Sequence, residues 1–320
     1  MRLKLSVVVL LVILLVSGVV MGKKFLIGVS IPAADHGWTG GIVWWANKAV
    51  ADWKAKDADL EFKVVLANNP SDQVADVEDL LVQGIDALVI LPYESAPLTP
   101  ICEEVHKKGI YLVVVDRGLT KDVYDVYVAG DNYAFGKNAA EYIAKKLNGK
   151  GNVVVLEGIP SVINTERVNG FMDVMKGYPN IKILASQPGY WQRDKALAVM
   201  ENYLQQFPKI DAVWAADDDM ALGVIQAIRE AGREKEMFVV GGGGMKDVIK
   251  MIMDGSELIP VTVTYPPSMV ATAISMAVKG LKGEKLDGFY QEAIPHKIIL
   301  SCEVVTKENA EKYYYPDSVY

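Results

Sequence analysis

Apolar residues come along this chain in short unbroken runs, each followed by a longer stretch in which they recur every third or fourth position. A short aliphatic and β-branched run reads as a strand buried on both faces, and a longer stretch with one apolar stripe reads as an amphipathic helix. The pattern predicts strands at 25–30, 62–66, 87–91, 111–115 and 126–129, with helices at 42–54, 72–82 and 98–108 between them. From residue 133 the same grammar restarts. Helices at 133–147, 165–176, 193–206, 220–231 and 246–253 alternate with strands at 153–156, 181–185, 212–215, 237–240 and 260–264. A helix at 269–282 and a strand at 297–300 follow. The stretch 31–41 is too rich in Gly and Pro for a helix and is expected as an exposed aromatic loop, while Trp44 and Trp45 are expected in the core.

Short strands alternating with helices imply parallel sheets joined by right-handed crossovers. Ile85-Asp86-Ala87-Leu88-Val89 is echoed by Ile210-Asp211-Ala212-Val213-Trp214, each after an amphipathic segment, so the two halves share one plan. At 320 residues, 51% of them hydrophobic, the chain can bury a large core, and at this length one core usually divides into two. The expected class is α/β, with two Rossmann-like lobes.

A formal charge of −7 without a clustered Lys/Arg face excludes a nucleic-acid partner, because phosphate neutralisation needs a basic footprint. Residues 1–22 carry Arg2 and Lys4, then an uncharged run that ends at Gly22 before Lys23 and Lys24. That is a secretory signal pattern, with retention as a membrane anchor the alternative. No cysteine follows the run, so nothing supports a lipid-modified N-terminus. Cys102 and Cys302 are too few and too far apart for a disulfide framework or a metal cluster, and are read as two buried free thiols.

In open α/β sheets ligands bind beyond the carboxyl ends of the strands. The strand Tyr111–Val115 ends in Asp116 and Arg117; other strand ends of the first half bring His36, Trp38, Asn69 and Glu94. The second half brings Asn164, Arg167, Trp191, Asp217 and Tyr265. Amides and carboxylates suit vicinal hydroxyls, Arg supplies a planar fork of donors, and Trp packs on the apolar face of a sugar ring. Plainer roles stand beside these: a turn at Asn69-Pro70, a helix cap at Asp217, a core position for Trp191. Gly241 to Gly244 either widen the pocket for a ligand bulkier than a pentose or permit a tight strand-to-helix turn.

Asn68-Asn69-Pro70, Val115-Asp116-Arg117, Gly130-Asp131-Asn132, Arg167-Val168-Asn169-Gly170-Phe171, Ser186-Gln187-Pro188 through Arg193, and Asp211 through Gly223 resemble, in order, the ribose-type periplasmic sugar-binding proteins. The resemblance implies the type I periplasmic binding protein fold: two lobes joined by a three-crossover hinge, a ligand enclosed between them, and delivery to an ABC transporter permease. It places ligand contacts at His36, Trp38, Asp116, Arg117, Arg167, Trp191, Asp217 and Tyr265. Crossings near Gly130-Asp131, Tyr265-Pro266 and Gln291 divide the chain into a first lobe of 23–130 and 266–291 and a second of 131–265 and 292–320. The chain departs from the ribose pattern at the glycine run, at Tyr265 where a glutamine is usual, and at His36-Gly37-Trp38 in place of paired phenylalanines.

The expectation is an exported, monomeric, non-enzymatic binder of a neutral monosaccharide or cyclitol, with no cofactor or metal and no membrane contact except through the permease or an uncleaved signal segment. Three histidines, no Gly-x-Ser-x-Gly elbow and no His-Glu-x-x-His pair leave catalysis without machinery. The rival readings are a sugar-sensing chemoreceptor module and a lac-repressor-like regulator core. The regulator would need a DNA-binding helix pair where this chain has its signal segment.

Overall fold

The computed structural model describes residues 24–34, 36–291 and 293–320. The proposed signal segment therefore lies outside the described residues. Within them the chain forms two six-stranded sheets. The first contains β1 (Phe25–Pro32), β2 (Leu60–Ala67), β3 (Ala87–Ile90), β4 (Tyr111–Val115) and β5 (Val126–Gly130), in the order β2-β1-β3-β4-β5, all parallel. The second contains β6 (Lys150–Glu157), β7 (Asn180–Pro188), β8 (Ala212–Ala215), β9 (Phe238–Gly243) and β10 (Val261–Thr264), in the order β7-β6-β8-β9-β10, again parallel. The same winding occurs twice, with the order reversing between β1 and β3 and between β6 and β8. Those are the switch points where an open sheet leaves room for a ligand.

Strand β4 shows why its sequence is an unbroken apolar run. Leu112 and Val114 face the packed pair α2 (Pro70–Val82) and α3 (Ser95–Lys107), whereas Val113 and Val115 belong to the core under α1 (Gly37–Lys56) and α9 (Met269–Lys282). Helices cover both faces, so both sets of alternate side chains must be apolar. The Ile-Asp-Ala echo is a structural repeat. Asp86 Oδ2 accepts the amide of Leu26 at 2.9 Å while the Asp86 amide donates to the Leu26 carbonyl, and Asp211 does the same to Asn152 at 2.8 Å. Each carboxylate closes off the open end of a parallel ladder.

Two expectations change. The stretch after β1 is not a loop: α1 begins at Gly37, with Trp38 buried inside it. Trp44 and Trp45 are half-buried rather than core, Trp45 lying edge-on to Tyr315. Cys102 and Cys302 are both free and buried, and burial pushes each thiol up to about 12.

The chain passes between the sheets three times. The first passage leads from β5 into α4 (Asn132–Lys146) and the second from β10 into α9. The third is not at Gln291. Strand β11 (Lys297–Leu300) pairs in parallel with β5, and β12 (Val304–Val305) pairs antiparallel with β10, so the crossing falls between Leu300 and Val304 and residues 297–300 belong with the first sheet. The passages are bonded to one another: Asp131 donates its amide to Leu300 at 3.0 Å, Thr264 donates its amide to Glu303 at 2.8 Å, and the Cys302 thiol donates to the Asp131 carbonyl at 3.2 Å.

Helix α4 meets α5 (Val162–Met175) through Gly136 and Gly170, where any Cβ would collide with the backbone of Arg167 or Tyr133. This close approach sets Arg167 against Asn132. Gly136→Ala should therefore destabilise the fold by about 1–3 kcal/mol through overpacking. A urea midpoint equal to that of the unmodified chain would show that the two helices can part without loss.

Candidate ligand-binding cleft

The carboxyl edges of the two sheets face a common cleft. From the first lobe His36, Trp38, Asp116 and Arg117 line it; from the second come Ile163, Arg167, Trp191, Asp217, Gly242 and Gly243, and Tyr265 enters from the second passage. Eight of the eleven residues expected from strand ends are thus brought together. The other three are not, Glu94 standing exposed at the start of α3. Asn69 is exposed and caps α2, accepting the Asp72 amide at 2.9 Å. Asn164 is buried but spent on its neighbours, accepting the Gly158 amide at 2.8 Å and donating to Glu157 at 3.1 Å. Both follow a strand, yet each turns back onto its own backbone, the ordinary use of Asn at a helix start.

Asp116 and Arg167, on opposite lobes, are joined by a buried relay. Tyr265 donates its hydroxyl to Asp116 Oδ1 at 2.5 Å, Asn132 donates to the Tyr265 oxygen at 3.3 Å, and Arg167 Nε donates to Asn132 Oδ1 at 2.9 Å. Arg167 also donates to the Ala216 carbonyl at 3.2 Å. Its guanidinium lies 4.2 Å from the Phe135 ring centre and 4.3 Å from that of Tyr265. The two ring centres are 6.0 Å apart and the rings stand edge to face, so they wall the cation on adjacent sides while its N–H groups donate to Asn132 and Ala216. Burial, and then the charge of Asp116, push the Tyr265 hydroxyl well above its ordinary range, so it remains a donor. Arg117 is tied to the carbonyls of Pro92 and Tyr93.

Three consecutive aspartates open α7 (Asp218–Glu230), and each is held differently. Asp217 caps the helix by accepting the Met220 amide at 3.1 Å, and lines the cleft. Asp218 is fully buried and accepts the amides of Gly242, Gly244 and Met245 at 2.8–2.9 Å, together with the Thr262 hydroxyl. Asp219 reaches the other lobe: its Oδ2 accepts the Gly37 amide at 2.9 Å, and its Oδ1 takes Arg193 at 2.7 Å. A carboxylate at the positive end of α1 is what starts that helix inside a glycine-rich segment.

The glycine run is explained by Asp218. Gly243 and Gly244 have φ of 121° and 86°, values that favour glycine, and the resulting turn points three amides at one carboxylate. The run does not open an empty space. The volume a side chain would take at Gly242 is filled by Phe135, and at Gly243 by Tyr320. Backbone strain gathers at the same cleft, since Asp116, Tyr190 and Trp191, none of them glycine, have φ of 54°, 60° and 58°. Trp38 donates its indole N–H to the Tyr265 carbonyl at 2.9 Å, which fixes that ring across the two lobes. Ile163, Asn132 and Phe135 escaped sequence reasoning because they lie in the first turns of helices, not at strand ends.

The family model of the periplasmic binding protein domain matches residues 27–285. The ribose import binding protein RbsB of Bacillus subtilis is 34% identical over 267 residues, which is 82% of this chain and 84% of that protein. A fructose-binding periplasmic domain of a hybrid two-component system superposes with a TM-score of 0.78 at 32% identity, covering 90% of this chain and 93% of the other. An ABC transporter solute-binding protein from Bacillus halodurans with bound myo-inositol gives a TM-score of 0.79 at 25% identity, covering 91% and 97%.

Burial, then the charges of Asp219 and Asp218, raise the Asp217 carboxyl from 3.8 to about 7. A carboxyl whose folded pKa is raised binds its proton more tightly in the folded state, so its contribution to stability is full below the unfolded pKa and is lost as pH rises through 7. Between pH 4 and 7 the urea midpoint of Asp217→Asn should fall less than that of the unmodified chain. Parallel curves across that window would remove the shift.

Proposed function

The chain belongs to the periplasmic binding protein family, and on that premise we propose that it captures a neutral monosaccharide or cyclitol in the interlobe cleft and closes on it. The observation that carries this reading is the composition of the cleft. Two carboxylates, Asp116 and Asp217, stand against two guanidinium groups, Arg117 and Arg167, with the indoles of Trp38 and Trp191 and the side chain of Ile163 between them. Acidic side chains and guanidinium groups face the same space, so a neutral ligand can meet acceptors and donors without bringing a charge of its own into the cleft. Alternating acceptors and forked donors suit several adjacent hydroxyls, and flat apolar rings suit a sugar face.

The reading is one of binding, supported by the binding proteins to which the chain is similar. Export of the chain, a monomeric state and delivery of the ligand to an ABC permease complete the proposal. The sensor reading keeps one support, the similarity to a fructose-binding domain of a two-component system.

Three short passages between the sheets give a hinge with little freedom except rotation of one lobe against the other. Saturating ligand should lower the radius of gyration seen by small-angle scattering; an unchanged value from an open starting state would count against the hinge. Calorimetry across D-ribose, D-allose, xylitol and myo-inositol should find at least one tight ligand. Arg167→Ala should weaken it by about 10- to 100-fold, as expected for loss of a buried charged donor. If none of these compounds bound, or if the variant kept full affinity, the cleft reading would be lost.

A further inference from the structure

The sequence ends at Tyr320, which no pattern along the chain singles out. Its side chain is only 4% exposed. It is seated between the lobes: a Cβ at Gly37 or Gly41 of α1 would crowd its ring and Cβ, and a Cβ at Gly243 of β9 would collide with its hydroxyl. Glycines from both lobes thus make room for one residue. The segment is anchored beside that socket, Lys246 donating to the Ser318 carbonyl at 2.6 Å and the Tyr320 amide donating to the Ser318 hydroxyl at 3.2 Å. A tether of this kind holds the ring in place.

Yet the hydroxyl, buried like the ring, has no hydrogen-bond partner among the described residues. A buried unpaired hydroxyl costs stability, and a phenylalanine in the same socket would avoid that cost. The oxygen abuts Gly243, which lines the cleft, and it lies within the fields of Asp217 and Arg167, the second lobe's two charged cleft residues. An orphan donor and acceptor directly behind a glycine that lines the cleft has a use there. We propose that Tyr320 is a specificity-determining residue of the cleft, its ring replacing the side chain that Gly243 lacks and its hydroxyl pairing with a hydroxyl of the bound sugar or cyclitol. The proposal rests on the sugar-binding reading and names a contact beyond it.

The test compares the full chain with Tyr320→Phe, using calorimetric titration with D-ribose, D-allose, xylitol and myo-inositol and thermal melting without ligand. The variant keeps the ring and removes only the oxygen. Its melting temperature without sugar should rise, because the unpaired hydroxyl is gone, while its affinity for the tightest of the four should fall about tenfold, the scale of one good hydrogen bond. A lower melting temperature would mean that the hydroxyl serves the fold, and equal affinity would mean that the ligand does not use it; either result overturns the inference and leaves the cleft reading standing. If none of the four bound the unmodified protein, the sugar reading and this inference would fall together.

Discussion

The hydroxyl of Tyr265 is where the two lobes register. It sits on a passage between the sheets, donates to Asp116 of the first lobe, and accepts from Asn132, which in turn takes Arg167 of the second. A buried carboxylate and a buried guanidinium are each costly alone, and here neither is left unpaired. The relay therefore constrains the relative position of the lobes more tightly than apolar packing would, because hydrogen bonds lose strength steeply with distance and angle. The Trp38 indole bonding to the Tyr265 carbonyl, and Asp219 bonding to the Gly37 amide, work in the same sense from neighbouring positions.

The cost of building such a site appears in what surrounds it. Three like charges open one helix, and burial raises the Asp218 carboxyl to about 6 although three backbone amides and a hydroxyl oppose the rise. Non-glycine residues adopt left-handed backbone at Asp116, Tyr190 and Trp191. The two sheets of the described residues carry this strain, and the strain aims the side chains where unstrained turns would not.

The sequence by itself determined the succession of elements, because a period of two or of about 3.6 in apolar residues is a local property that packing then exploits. It determined both lobes through the Ile-Asp-Ala echo, whose aspartates each close a ladder, and most of the cleft through the rule that ligands meet the carboxyl ends of parallel strands. Asp116 and Asp217, each just past a strand, were legible on that rule. Asn69 and Asn164 obeyed it and still fell outside, since only three-dimensional neighbours decide whether an amide faces the cleft or its own backbone.

What only the tertiary structure decided depends on contacts distant along the chain. The start of α1 at Gly37 is fixed by Asp219 from the other lobe, so local composition could not reveal it. The third passage moved from Gln291 to the residues after Leu300 because β11 finds its partner in β5, a pairing no local pattern encodes. The glycine run took its meaning from Asp218, Phe135 and Tyr320 together. Burial and long-range hydrogen bonding assign those roles, and both depend on which residues the fold brings together, while sequence periodicity reports only which face of an element turns inward.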